Sequence, residues 1–428
     1  MASLIMHAAV LLTLALATDS YAISQENADI LSPKREDHVP TRTVSVSRQF
    51  VVDGTLRKNV DFWVKIYTLY DTNQGVIHDS RYIDKIFEIM DFQTSGGYSS
   101  RKVREARRKW QQVLMSVHKK REKPESMSEE EKHAFLLYQD ISEPGKYLSA
   151  AQRKRIRFQL GQKDKFMEGL VQSGKYLVHM EEIFRREGLP VELTRLPFVE
   201  SSFNVRARSK VGASGIWQFM RSTGRLFLRI NDSVDERNDP IRATEAAAKL
   251  LKINYESLKS WPLAITAYNH GRQGMMRAVR KVGSDDLEEL IGEYRNRKFG
   301  FASSNFYTEF LAALEAERNA DGFFGKIKRD EPLLAYEVEI PDSIQLNELC
   351  KFLSLDKNSI RQTNQGLSEA VFRGNKMVPA GYILRIPHDG TTTRESATKV
   401  FMAGYEKIPA MYKRKGFSGG KYGKGRRR

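Results

Sequence analysis

Apolar residues return every three to four positions, with few interruptions, from Phe50 to Arg318. That period lets an α-helix bury one face, and over this length it implies a chain built mainly of packed helices. In the first part, Phe62, Trp63, Ile66, Tyr67 and Tyr70 follow the period, as do Tyr82, Ile83, Ile86, Phe87, Ile89 and Met90. Residues 102–123 read as a strongly basic helix with Val103, Trp110, Val113, Leu114 and Val117 on its apolar side. The region 46–174 is therefore expected to be all-helical, and it carries no chemical motif. Further along, helices are expected over 176–187, 190–202, 215–229, 240–257, 262–270, 272–281 and 303–318. Pro190 and Pro262 stand where a first helical turn tolerates proline, and Gly271 where a helix end favours glycine.

After residue 333 the period changes. Residues 334–340 (LAYEVEI) alternate as a strand, and 381–386 (GYILRI) form a second. Two short helical patterns, 344–354 and 357–363, lie between them, so 333–387 reads as a small βααβ module. Residues 388–428 are read as a basic, disordered tail, because the last stretch is rich in Lys and Arg and free of acids. At the other end, Leu4 to Ala17 is an apolar run too short for a comfortable membrane span. Ser20 and Ala22 supply small residues at cleavage-site spacing, so 1–22 reads as a signal peptide and 23–45 as a linker. The expected location is outside the cytoplasm, periplasmic or wall-associated.

Composition narrows the partners. Lys plus Arg number 70 against 53 Asp plus Glu, a formal charge of +17. That surplus favours an anionic surface, and acidic lipid or an acidic wall polymer contacting the tail fits export better than nucleic acid. The chain has no nucleic-acid-binding motif. The single cysteine, Cys350, excludes an internal disulfide framework and a CxxC pair. The eight histidines show no HxH or HExxH spacing, so neither a metal nor a cofactor is expected.

Three stretches between 175 and 325 hold the candidate chemistry. In Leu196-Pro197-Phe198-Val199-Glu200-Ser201, an apolar helical face runs into a carboxylate at the helix's C-terminal end. The helix dipole and apolar neighbours both disfavour its ionisation, as a proton donor near neutral pH requires. In Gly212-Ala213-Ser214-Gly215-Ile216-Trp217-Gln218, Gly215 can open a helix whose first turn presents Trp217 and Gln218. The Gln218 amide suits a sugar N-acetyl group or hydroxyl. Trp217 is either a stacking face or a core residue. In Ala267-Tyr268-Asn269-His270-Gly271, Tyr268 and Asn269 end a small-residue helix and can point into a cleft, while His270 reads as a turn residue. Asp232, Asp235, Glu236 and Asp239 lie in a polar turn, where capping is their expected work.

These stretches, in this order, resemble the lytic transglycosylases with a goose-lysozyme-like catalytic domain, most closely the membrane-bound lytic murein transglycosylase D type. Glu200-Ser201 is similar to the family's Glu-Ser motif. Gly215-Ile216-Trp217-Gln218 resembles its Gly-Leu-Trp-Gln, and Ala267 to Gly271 its Ala-Tyr-Asn-x-Gly. Tyr307 stands where the family carries a late tyrosine, while Val205 and Arg221 stand where many members have proline. The resemblance implies a lysozyme-like catalytic unit over 175–325 that cleaves the MurNAc–GlcNAc β-1,4 bond of peptidoglycan strands, leaving a 1,6-anhydro end. Glu200 would be acid and then base. Ser201, Gln218, Tyr268, Asn269, Tyr307 and Trp217 would bind or orient the sugar. Residues 333–387 resemble a divergent LysM module through Asn364 and 378–387, although Pro341-Asp342-Ser343-Ile344 replaces the usual Gly-Asp-Thr-Leu. A hydrolytic muramidase and a non-catalytic wall-binding scaffold are the competing readings.

Overall fold

The computed structural model describes residues 50–414 apart from 51–53, 55, 94–96 and 389–392. The candidate signal peptide, the 23–45 linker and the end of the basic tail lie outside the described residues. Helices dominate, as the periodicity requires. Leu177–Arg186, Pro240–Leu258, Trp261–His270, Arg272–Val282 and Phe301–Arg318 fall within a residue or two of their expected bounds. No helix among the described residues is long and apolar enough to cross a membrane.

The largest core gathers side chains from both sides of residue 174. Helix Leu56–Thr68 buries Val60, Trp63, Ile66 and Tyr67 and lies along Phe301–Arg318, so it belongs to the same core as Phe198, Trp217 and Leu263. Helix Lys163–Ser173 adds Phe166 and Leu170. The expected division near residue 174 therefore cuts through one core.

The region 46–174 is not all-helical. Strands Gln74–Asp79, Ile86–Asp91 and Ile156–Leu160 form an antiparallel sheet with the first in the middle, pairing Val76 with both Ile89 and Gln159. Phe87 and Met90 face inward, while Ile89 remains 55% exposed. The strand wins here because these backbone groups find strand partners, and a bulge opposite Ile77 and His78 lets Phe87 and Met90, three residues apart, both face inward. The sheet and the basic helix Ser100–Lys120 enclose a second core around Trp110, Leu114 and Tyr138.

Strands Ala335–Glu339 and Ile383–Pro387 pair antiparallel, and the expected helices Leu346–Phe352 and Lys357–Thr363 lie between them. So do a short strand, Ser343–Ile344, and a third helix, Glu369–Phe372, which the expected βααβ order lacks. Part of the stretch read as disordered tail is helical instead. Arg394–Glu406 places Phe401 and Tyr405, followed by Ile408, in the module's core, and that apolar burial offsets the cost of ordering a polar segment. The module is fastened to the helical body. Arg385 forms a buried ion pair with Asp239 at 2.5 Å, and the Asp235 amide donates to the Gly366 carbonyl at 2.7 Å. The Ser368 amide donates to the Ser233 carbonyl at 2.9 Å, and Gln365 Nε2 to the Tyr176 hydroxyl at 3.1 Å.

Candidate active site

Glu200 is the penultimate residue of the short helix Leu196–Ser201, whose Leu196, Pro197 and Phe198 are buried. The helix is closed by backbone bonds from Ser202 to Phe198 and from Phe203 to Pro197, at 3.2 and 3.1 Å. Ser202 and Phe203 both take the left-handed conformation, with φ of 50° and 56°. Each such residue costs about 1 kcal/mol or more, so something must hold the turn. Phe203 is fully buried against Phe198, with ring centroids 4.6 Å apart, and this packing supplies the restraint.

The electrostatics of Glu200 follow from where that turn leaves it. Burial pushes its carboxyl up to about 8, and the nearby Glu309 carboxyl adds to the shift. Among the described residues, neither a cation nor a hydrogen bond offsets it. Glu309, on helix Phe301–Arg318, is itself pushed up to about 8 by burial. Tyr67 and Tyr268 are raised well above the ordinary phenol value, first by burial and then by these carboxyls: Glu309 and Glu200 for Tyr67, Glu200 for Tyr268. Four acidic side chains from four helices thus lie within electrostatic reach of one another, and burial keeps both carboxyls largely protonated at pH 7.

The second stretch is a turn, not a helix. From 215 to 220 the chain forms no helix, and only Arg221–Gly224 of the expected 215–229 is helical. Gln218 has φ of 46°, which no helical first turn allows. Gly215 has φ of 78°, and a Cβ there would lie 1.8 Å from the Arg237 carbonyl oxygen, so only glycine fits. Gln218 Nε2 donates to the carbonyls of Gly215 and Ala207 at 2.8 and 3.2 Å. Its amide hydrogens are therefore engaged by backbone, and its Oε1 is the atom left to meet a ligand.

The three stretches bind one another. Ser201 Oγ donates to the Ile216 carbonyl at 2.9 Å, with Pro197 O as a second acceptor at 3.3 Å. Tyr268 Oη donates to the Trp217 carbonyl at 2.8 Å. The exposed Asn269 accepts from Ser303 Oγ at 2.8 Å. Tyr307 is buried on the same helix as Glu309. Trp217 is a correction: it is fully buried, stacked on Phe184 at 6.0 Å, with Nε1 donating to Thr244 Oγ1 at 2.9 Å. It offers no face to a sugar. His270 closes its helix against Phe299, and Asp235 and Asp239 cap the elements that follow them, as expected.

Two side chains of the pocket escaped sequence reasoning. Glu309 had a signal, since it lies at i−3 and i−4 to the buried Ala312 and Ala313, on a helix face whose other members, apart from Asn305, are apolar. Tyr67 had none beyond being one aromatic among several. Among the described residues, no three His, Cys, Asp or Glu side chains gather as a metal site would need.

Residues 180–291 match the family described as the transglycosylase SLT domain. Over 186 residues the chain is 32% identical to the membrane-bound lytic murein transglycosylase D of Escherichia coli strain K12, which is 43% of this chain and 40% of that protein. Over 109 residues it is 32% identical to a tributyltin chloride resistance protein of Alteromonas sp. strain M-1, covering 25% of this chain and 53% of that one. A crystal structure of an inactive mutant of the lytic transglycosylase Slt from Pseudomonas aeruginosa overlaps 48% of this chain and 33% of that one, at 16% identity and a TM-score of 0.30. The chain thus spans about two fifths of the E. coli relative's length and about half of the Alteromonas one's.

Proposed function

We propose that this chain, whose residues 180–291 match the transglycosylase SLT domain, cleaves the MurNAc–GlcNAc β-1,4 bond of peptidoglycan and leaves a 1,6-anhydro end. The observation that carries the proposal is Glu200, a half-buried carboxyl with a pKa pushed up to about 8 inside the matched region. At neutral pH it holds a proton it can deliver to the glycosidic oxygen as general acid. Once ionised, it is the base that removes the proton of the C6 hydroxyl as that oxygen closes onto C1. A retaining glycosidase with two carboxylates needs the second one ionised as nucleophile. Glu309, pushed up to about 8, is neutral at pH 7 and unsuited to that task. The substrate's own N-acetyl group and hydroxyl are the nucleophiles this site favours, and holding the C6 hydroxyl against C1 lets it outcompete water.

Ser201 and Tyr268 act on this reading as positioning residues, since their hydroxyls join the stretches carrying Glu200, Trp217 and the Tyr268 helix. Gln218 Oε1 and Asn269 are the polar atoms offered to sugar. The enzyme works outside the cytoplasm, where its polymer lies, and the C-terminal module holds the wall nearby.

Mass spectrometry of fragments released from purified sacculi tests the proposal. Anhydro-ended muropeptides are expected. Reducing ends would make the chain a hydrolytic muramidase, and no release would leave a wall-binding scaffold. The second carboxyl makes its own prediction. Glu309→Gln removes a charge that raises Glu200, so the alkaline limb of kcat/KM should move to lower pH. An unmoved limb would mean the two carboxyls titrate independently.

A further inference from the structure

Beyond the left-handed turn, residues 204–208 form a loop fixed to the second stretch, because Gly215 N and Gln218 Nε2 both donate to the Ala207 carbonyl, at 3.0 and 3.2 Å. The loop turns Arg206 and Arg208, both exposed, into a cleft of about 870 Å³ between the helical body and the C-terminal module. Arg361, Gln362 and Gln365 line the module's side. The cleft's charges do not cancel. Arg361 is paired with Glu369 while stacked over the Phe372 ring at 3.9 Å, Lys175 is paired with Asp330 at 3.0 Å, and Asp235 is engaged by Arg237 at 2.7 Å. Among the described residues, Arg206 and Arg208 form no ion pair, so two guanidinium groups face the cleft uncompensated.

The walls are fixed before any ligand arrives. The Arg385–Asp239 pair, the backbone bonds from 235 to 366 and from 368 to 233, and the Gln365–Tyr176 bond hold the module against the body. A preformed cleft carrying planar, bidentate cations suits carboxylates, and side-chain amides at its edge suit peptide groups. The volume lies within the usual range of ligand sites, which is about 300–1,000 Å³.

We infer that this cleft binds the carboxylates of the short acidic peptides that branch from a glycan strand lying at Glu200. The inference rests on the reading under Proposed function, and the loop carrying Arg206 and Arg208 begins at Asn204, four residues after Glu200. Arg206 and Arg208 take the carboxylates, and the module supplies the opposite wall. The enzyme on this account distinguishes peptide-bearing strands from bare ones.

The test uses the full chain carrying Glu200→Gln and measures calorimetric binding of two soluble disaccharide-tetrapeptides, one with free carboxylates and one fully carboxamidated. The acidic form is expected to bind more tightly, and added salt should weaken it more. Adding Arg206→Gln and Arg208→Gln should weaken the acidic form by roughly tenfold or more, the scale of lost charge-assisted hydrogen bonds, and bring the two ligands close together. Equal affinity for both ligands in the parent overturns the inference, as does an acid-to-amide ratio untouched by the double substitution. Equal competition by inorganic polyphosphate also overturns it, by showing a general anion surface. Failure of the catalytic reading is seen separately, as absent fragment release by the chain with Glu200 intact.

Discussion

Glu200→Gln is expected to lower release of soluble fragments from sacculi by about 10³-fold or more, within or beyond the usual range for a lost general acid. The substitution is close to isosteric, and at pH 7 it exchanges one neutral group for another, because burial holds the Glu200 carboxyl at about 8. Folding should survive. What disappears is the transferable proton and the base formed after its departure. The same substitution should alter the pH dependence of stability, with a sign fixed by the shift. Glu200 is raised from 4.5 to about 8, so the folded state keeps a proton that the unfolded chain releases. That contribution is complete below the unfolded value and is lost as pH rises through about 8. The Glu200→Gln chain should therefore lose less Tm than the parent between pH 5 and 9. Parallel Tm profiles would mean that Glu200 is solvated in the folded protein.

Asp239→Ala should be among the most destabilising single changes in the chain. Asp239 is 2% exposed and does two jobs: Oδ1 accepts from the Ile241 and Arg242 amides at the start of helix Pro240–Leu258, and Oδ2 pairs with Arg385. Arg385 is 7% exposed and would keep only Glu337, at 3.1 Å. A buried charge left wholly unpaired costs about 3–5 kcal/mol, so losing the closer of two partners should cost somewhat less than that, and the lost cap about 1 more. Arg385→Met should cost less, since Asp239 retains its two amide donors. The combination of Asp239→Asn with Arg385→Met removes both charges and keeps a capping oxygen. It should recover most of the loss, because a buried pair replaced whole is often near neutral. Denaturant titration of the parent, Asp239→Asn, Arg385→Met and their combination checks this, and strictly additive losses would contradict the coupling.

The sequence was most informative where one period dominates. The helices from Pro240 to Val282 were legible because apolar spacing, a capping acid, two prolines and Gly271 agree on where they start and stop. The strand Ile86–Asp91 was not, since its short apolar run satisfies both the helical and the strand period, and its partners lie in other segments. The turn from 215 to 220 was misread as a helix because Gln218 adopts a positive φ that its residue type does not announce. Trp217 beside Gln218 looked equally suited to a sugar or a core, and Phe184 and Thr244, distant in sequence, decide for the core. The apolar approach to Glu200 was a weak signal by itself, and the resemblance of Glu200-Ser201 to the family's Glu-Ser motif singled it out, whereas Glu309, set among buried alanines and aromatics, lies in no such motif and was passed over.

The most direct measurement of the central claim is the pKa of Glu200 itself. A carboxyl ¹³C NMR titration of the labelled chain, with Glu200→Gln used to assign the resonance, should show a glutamic acid titrating near 8 that is missing from the variant. A Glu200 resonance titrating near the ordinary 4.5 would contradict the account, because the side chain would then have no proton to give at neutral pH.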